Sequence, residues 1–250
     1  MSLISPEVEA LLYLVAAVAF ILALKGLSSP KSARRGNIIG AAGALVGVTT
    51  VFLAEELKNV GWILLVIGVG TIISVPASRM VKMTQMPQLV ALFNGVGGGA
   101  AGIVALLELR AADTLGFLLA VAFTIFVGSV SFSGSVITFL KLQELMTTRP
   151  VLFKGQQYVM GALTIAALVA AVIVVTQGNA VVATLLMVAG LVMGLLIVLP
   201  VGGADVPIVI SLLNALTGLA VAVLGQHQVG LTGQRLALLI VLGVISRTVE

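Results

Sequence analysis

Long apolar runs broken by short polar turns dominate the chain. The first covers roughly Val8 to Leu24, and later ones fall at about 36–54, 60–76, 86–107, 116–139, 158–176, 180–199 and 207–225. Each is close to the roughly 20 residues that a helix needs to cross a hydrocarbon layer of about 30 Å. A ninth run, about 231–246, is interrupted by Gln234 and Arg235. The first run is not a secretory signal, because Glu7 and Glu9 precede it and Lys25, Lys31, Arg34 and Arg35 follow it. The pattern predicts an all-α, polytopic transmembrane helix bundle of about nine spans over residues 1–250, with no second domain in the sequence.

Composition agrees with that pattern. Hydrophobic residues make up 60% of the chain, charged residues 9%, and mean hydropathy is +1.25, whereas about a quarter of the residues in a soluble domain are charged. Lipid is therefore the solvent for most of the surface. The absence of cysteine excludes disulfides and thiolate metal sites. The net charge of +4 is spread over short loops rather than gathered on a face, so it is no sign of nucleic-acid binding.

Those charges mark topology instead. With loops numbered alternately, ten of the thirteen Lys and Arg fall on one side: Lys25, Lys31, Arg34, Arg35, Arg79, Lys82, Lys141, Arg149, Lys154 and Arg247. Lys58, Arg110 and Arg235 fall on the other. The positive-inside rule then puts the amino terminus outside and the carboxy terminus in the cytoplasm.

Chemistry inside the spans is sparse, with no Asp, Glu, Lys or Arg away from their ends, and the one histidine, His227, lies in an outward loop. What the spans do hold is a polar layer. Asn94 lies about eight residues into its span and Asn214 about seven into another, which puts both amides roughly 10–12 Å deep from the cytoplasmic side. Ser131 and Ser133, in FVGSVSFSGSV, reach a similar level from a span running the other way. The serines can act as interhelical glue or bond their own helix. The asparagines can be glue or can line a water path, since each amide has four hydrogen-bonding positions to satisfy.

Glycines divide into two groups. Gly36, Gly40, Gly43 and Gly47 follow each other at four- and three-residue steps, as expected where one helix packs closely on another. Gly95, Gly97, Gly98, Gly99 and Gly102 are denser, and they suit either packing or a deformable helix segment. Asp205, the only charge in LPVGGADVP, either caps the following helix or marks the inner mouth of the path, where a soluble partner would meet it. No catalytic, cofactor-binding or metal-binding residue is expected, because no P-loop, dinucleotide fingerprint or metal-spaced cluster occurs.

The strings NVGWILL at 59–65, VKMTQMPQLVALFNG at 81–95, GSVSFSGSVITFLKLQ at 128–143, RPVLFKG at 149–155 and GGADVPIVISLLNALTG at 202–218 resemble the membrane part of the beta subunit of proton-translocating NAD(P) transhydrogenase. The resemblance implies a bacterial inner-membrane enzyme that couples hydride transfer between NAD(H) and NADP(H), on soluble domains, to proton movement through this domain. It implies that an NADP-binding domain follows the last span, so this fragment binds neither NADP nor NAD and is redox-inactive alone. Asn94 stands where many members carry the path histidine, so the titratable His would come from a membrane span of the alpha subunit, in a homodimer of the heteromer. Asn214 matches a proton-path asparagine, and Asp205 the aspartate at the junction with the NADP-binding domain. Beyond about Gln226 the family pattern is not recognisable. Two rival readings are a secondary transporter for a small solute, which would show internal repeats and broken helices, and a structural membrane anchor.

Overall fold

The computed structural model describes residues 3–54, 57 and 59–225. They form eight helices: α1 (Pro6–Leu27), α2 (Ala33–Ala54), α3 (Val60–Met80), α4 (Met86–Glu108), α5 (Leu115–Leu142), α6 (Gln156–Gln177), α7 (Ala180–Val198) and α8 (Val206–Gly225). A 3₁₀ turn, Met83–Gln85, leads into α4. All eight helices are long and apolar enough to cross a membrane, and the eight uninterrupted apolar runs match them in order. The expected ninth span, 231–246, lies outside the described residues.

Local chemistry sets the helix ends. Thr114 caps α5 by accepting the Phe117 N–H at 3.2 Å, and Asn179 caps α7 by accepting from Val181 and Val182. Helix α6 stops at Gly178, whose φ of +59° suits glycine and whose N–H returns to the Val174 carbonyl.

The chain divides into two compact units, with the boundary between Arg79 and Met80. In the first, α1 and α2 form an antiparallel hairpin whose crossing is made of glycine. A Cβ on Gly36 would lie 2.8 Å from the Ala23 carbonyl oxygen, and one on Gly43 would lie 2.9 Å from the Ala19 Cβ. The regular glycine steps of this stretch are thus packing steps, as the sequence suggested.

In the second unit α5 is the central helix, packed by α4, α6, α7 and α8. Seventeen of its 28 residues are buried, against three in α6. Small residues on different faces of α5 admit different neighbours. Gly128 meets α4, where an added Cβ would sit 2.5 Å from the Gly98 carbonyl oxygen and 2.8 Å from the Gly102 nitrogen. Gly134 faces α7 and α8, with Val198 and Leu213 against it. The register makes α4 and α8 antiparallel to α5, and α7 parallel to it. An apolar core of Val121, Ile125, Val174, Leu186 and their neighbours fills the space among α5, α6 and α7.

Gly161, on α6, has nothing within 4 Å of where a Cβ would stand. Gly161→Ala removes the backbone freedom of glycine, worth up to about 1 kcal/mol in a helix. Thermal unfolding of the detergent-solubilised protein, followed by size-exclusion chromatography, is expected to show unchanged or raised stability.

Candidate functional site

The α4–α5–α8 contact is where buried polar side chains meet. Asn94 is only 7% exposed and lies on α4 beside the glycine crossing. Its Nδ2 donates to Ser135 Oγ at 2.8 Å and to Ser131 Oγ at 3.1 Å, using both amide protons on one neighbouring helix. Ser131 Oγ lies 2.5 Å from Thr217 Oγ1 and 3.3 Å from the Leu213 carbonyl oxygen, both on α8. Thr217 in turn donates to the Leu213 carbonyl oxygen at 2.9 Å. Three helices are therefore joined by a chain that runs from an amide through two hydroxyls to a backbone carbonyl.

One position in this chain stays open. Asn94 Oδ1 is buried and accepts from no donor among the described residues. A buried carbonyl of this kind costs about 1–3 kcal/mol while it has no donor.

The glycines beside Asn94 make the approach of α4 to α5 possible. A Cβ on Gly95 would meet Ser135 Cβ at 3.0 Å, one on Gly98 would meet Ser131 Cβ at 2.9 Å, and one on Gly99 would meet the Phe132 ring at 2.9 Å. Gly102 faces the Ile125 carbonyl and Ser129. Gly97 differs, with nothing within 4 Å. Despite this density α4 is one continuous helix.

Other sequence candidates are placed elsewhere. Ser133 lies on another face of α5, toward Gly194 of α7, and donates to the Ser129 and Val130 carbonyls of its own helix. Asn214 is exposed on α8, while Leu213 and Thr217 on the same helix turn inward. No hydrogen bond joins the two asparagines among the described residues. Asp205 is exposed just ahead of α8, and its backbone carbonyl accepts the Ile208 and Val209 N–H groups that start the helix.

Several interacting residues were not singled out from sequence. Ser135 stands one turn beyond Ser131, and Thr217 stands three residues beyond Asn214; those spacings were the available signal. At the end of the bundle near Asp205, three long polar side chains reach the ends of neighbouring helices. Gln88 Nε2 donates to the Leu142 carbonyl at 3.0 Å and Gln156 Nε2 to the Leu196 carbonyl at 3.1 Å. Lys141, fully buried, donates to the Val198, Leu199 and Val201 carbonyls. No group of three or more potential metal ligands occurs among the described residues.

Comparison with known proteins shows the family. A family model described as NAD(P) transhydrogenase beta subunit matches residues 9–246. That match runs past Gln226, so the sequence reading that the family pattern ends there is corrected: short recognisable strings stop at about that point, while the family match continues to residue 246. Two curated proteins named NAD(P) transhydrogenase subunit beta, from Rhodospirillum rubrum and from its strain ATCC 11170, are each 38% identical over 223 residues. The alignment covers 85% of this chain and 48% of each relative, so the chain spans about half the length of the curated relatives it matches. With eight apolar helices and a family match over nearly its whole length, the chain is a multi-pass membrane protein that belongs to the NAD(P) transhydrogenase beta subunit family.

Proposed function

We propose that this chain is the proton-conducting membrane domain of a bacterial inner-membrane transhydrogenase, coupling proton movement to hydride transfer between NAD(H) and NADP(H). The observation that carries the reading is the buried Asn94 amide: both its protons are committed to α5 serines while its oxygen stays open. Such an amide holds a water by its oxygen and fixes that water against a hydroxyl chain. Ser131 and Thr217 can each donate or accept, so the link between them can reverse its sense as a proton passes.

An amide does not titrate in the working range, so the proton-accepting group comes from a partner. The alpha subunit is that partner, and a histidine on one of its membrane spans is the group. The exposed face of α8 that carries Asn214 is where that span packs, so that Asn214 and Asn94 approach the imidazole from different sides. Asp205, exposed ahead of α8, meets the NADP-binding domain. Hydride transfer belongs to soluble domains of a dimeric complex, beyond the described helices. The path connects to them through small shifts of α4 against α5 along the glycine crossing. Coupling of this kind requires two states that differ in the exposure of the path.

The test uses the complete two-subunit enzyme in vesicles. Asn94→Leu is expected to lower protons moved per hydride transferred by at least about tenfold, the scale of a typical coupling free energy. Assembly is checked by size exclusion. Unchanged proton movement with an assembled complex would identify Asn94 as interhelical glue and remove the reading.

A further inference from the structure

Lys141 stands in the last turn of α5 with its side chain wholly inside the protein. Its ammonium donates to the Leu199 carbonyl at 2.6 Å, the Val201 carbonyl at 2.7 Å and the Val198 carbonyl at 3.2 Å. Three donors meet three acceptors, so the cation is fully satisfied without a carboxylate. The acceptors are the terminal carbonyls of α7, where the helix dipole is negative, and the first carbonyls of the turn beyond it.

That turn leads within a few residues to Asp205 and α8. It is held on its other side by backbone bonds to the segment after α5, from the Val151 N–H to the Leu199 carbonyl and from the Gly203 N–H to the Thr148 carbonyl. Lys141 is the charged side chain through which the buried helix α5 grips it, beside the apolar packing of Phe139 and Leu142 in the cluster that holds Val206. Ten residues earlier on α5, about 15 Å along a rigid helix, stands Ser131, the hub of the hydroxyl chain. A displacement of the turn around Asp205 is thus transmitted to the end of the helix that carries the polar cluster.

We propose that Lys141 is a positioning residue: its three-carbonyl clamp makes the Asp205 turn and α5 move as one body, and so links the soluble face to the proton path. The link to proton movement rests on the function proposed above, whereas the clamp itself is tested separately. These 250 residues contain no cysteine, so Ala204→Cys, at an exposed site in the turn, adds one labelling site here, and it takes a single nitroxide label in the full complex once cysteines elsewhere in that complex are replaced by serine. Lys141→Met is expected to increase label mobility and to lower protons per hydride at least about fivefold, the low end of typical coupling energies. Lys141→Arg, which keeps a multi-donor cation, is expected to restore both readouts to within about twofold of the parent, below that range. Asn94→Leu is expected to lower pumping without changing the label spectrum.

If Lys141→Met leaves the label spectrum unchanged, the clamp proposal falls. It also falls if the turn loosens while protons per hydride stay constant, because the clamp is then only structural. Should the Met variant fail to assemble, Lys141→Gln, which keeps two donors, is read by the same criteria. Loss of pumping with Lys141→Met beside normal pumping with Asn94→Leu would overturn the path and leave the clamp standing.

Discussion

Gly194→Val is expected to prevent the protein from folding into a state that can be isolated. A Cβ at Gly194 would fall onto Ser133 Oγ and the Val130 carbonyl oxygen, with the Gly134 nitrogen 3.0 Å away. Two of these three neighbours are backbone, which no rotamer change can move, so α5 and α7 would have to separate. Separation would unseat Gly134 from Val198 and draw the α7 terminus away from Lys141. Overpacking a core ordinarily costs about 1–3 kcal/mol, and in lipid, where packing itself drives helix association, few other terms offset it. Size-exclusion chromatography of the solubilised complex should show aggregate or no protein for Gly194→Val, beside a normal peak for Gly161→Ala. A monodisperse Gly194→Val complex of parental thermal stability would contradict the parallel α5–α7 crossing.

A second large effect is expected at Ser131. Its hydroxyl accepts from Asn94 and meets Thr217 and the Leu213 carbonyl, so Ser131→Val removes the hydrogen-bonded connection between α4 and α8. Asn94 keeps Ser135 and loses one amide partner, leaving a buried donor unsatisfied at about 1–3 kcal/mol. Ser133→Ala deletes a hydroxyl that bonds only carbonyls of its own helix, and it should cost within about 0.5 kcal/mol. In vesicles the Ser131 variant should move protons at a rate reduced by about an order of magnitude, on the scale of a typical coupling energy, and the Ser133 variant near the parental rate. Equal behaviour of the two would show that serines at this depth act alike, against a directional chain through Ser131.

Hydropathy made the eight spans legible because each boundary is marked by a sharp polar interruption, and the regular glycines of α2 declared a packing face. Depth was legible too: a fixed rise per residue put Asn94 and Ser131 on one level, and they are hydrogen-bonded. Azimuth was harder. Asn214 and Thr217 lie only about 60° apart around α8, yet one is exposed and the other touches Ser131. An amide catches the eye in a sequence more readily than a threonine. Lys141 was read as a loop charge marking topology, since nothing local announces that three carbonyls from more than fifty residues away will enclose it. The density of small residues in α5 was visible, but which face each would serve depends on the neighbours, and this left the central place of the helix unread.

The central place of α5 bears on how the chain enters the bilayer. Thr124 bonds the Ala220 carbonyl, 96 residues later, and Ser131 bonds α8 at a separation of 82 to 86. During synthesis α5 is therefore complete before α7 and α8 are made. Ser129 and Ser133 close onto carbonyls one turn back, a local bond that needs no neighbour and keeps their hydroxyls shielded from the acyl chains meanwhile. Ser131 and Ser135 have only α4 at hand, so the α4–α5 pair is the earliest product of biogenesis in this unit and the template on which the later helices assemble.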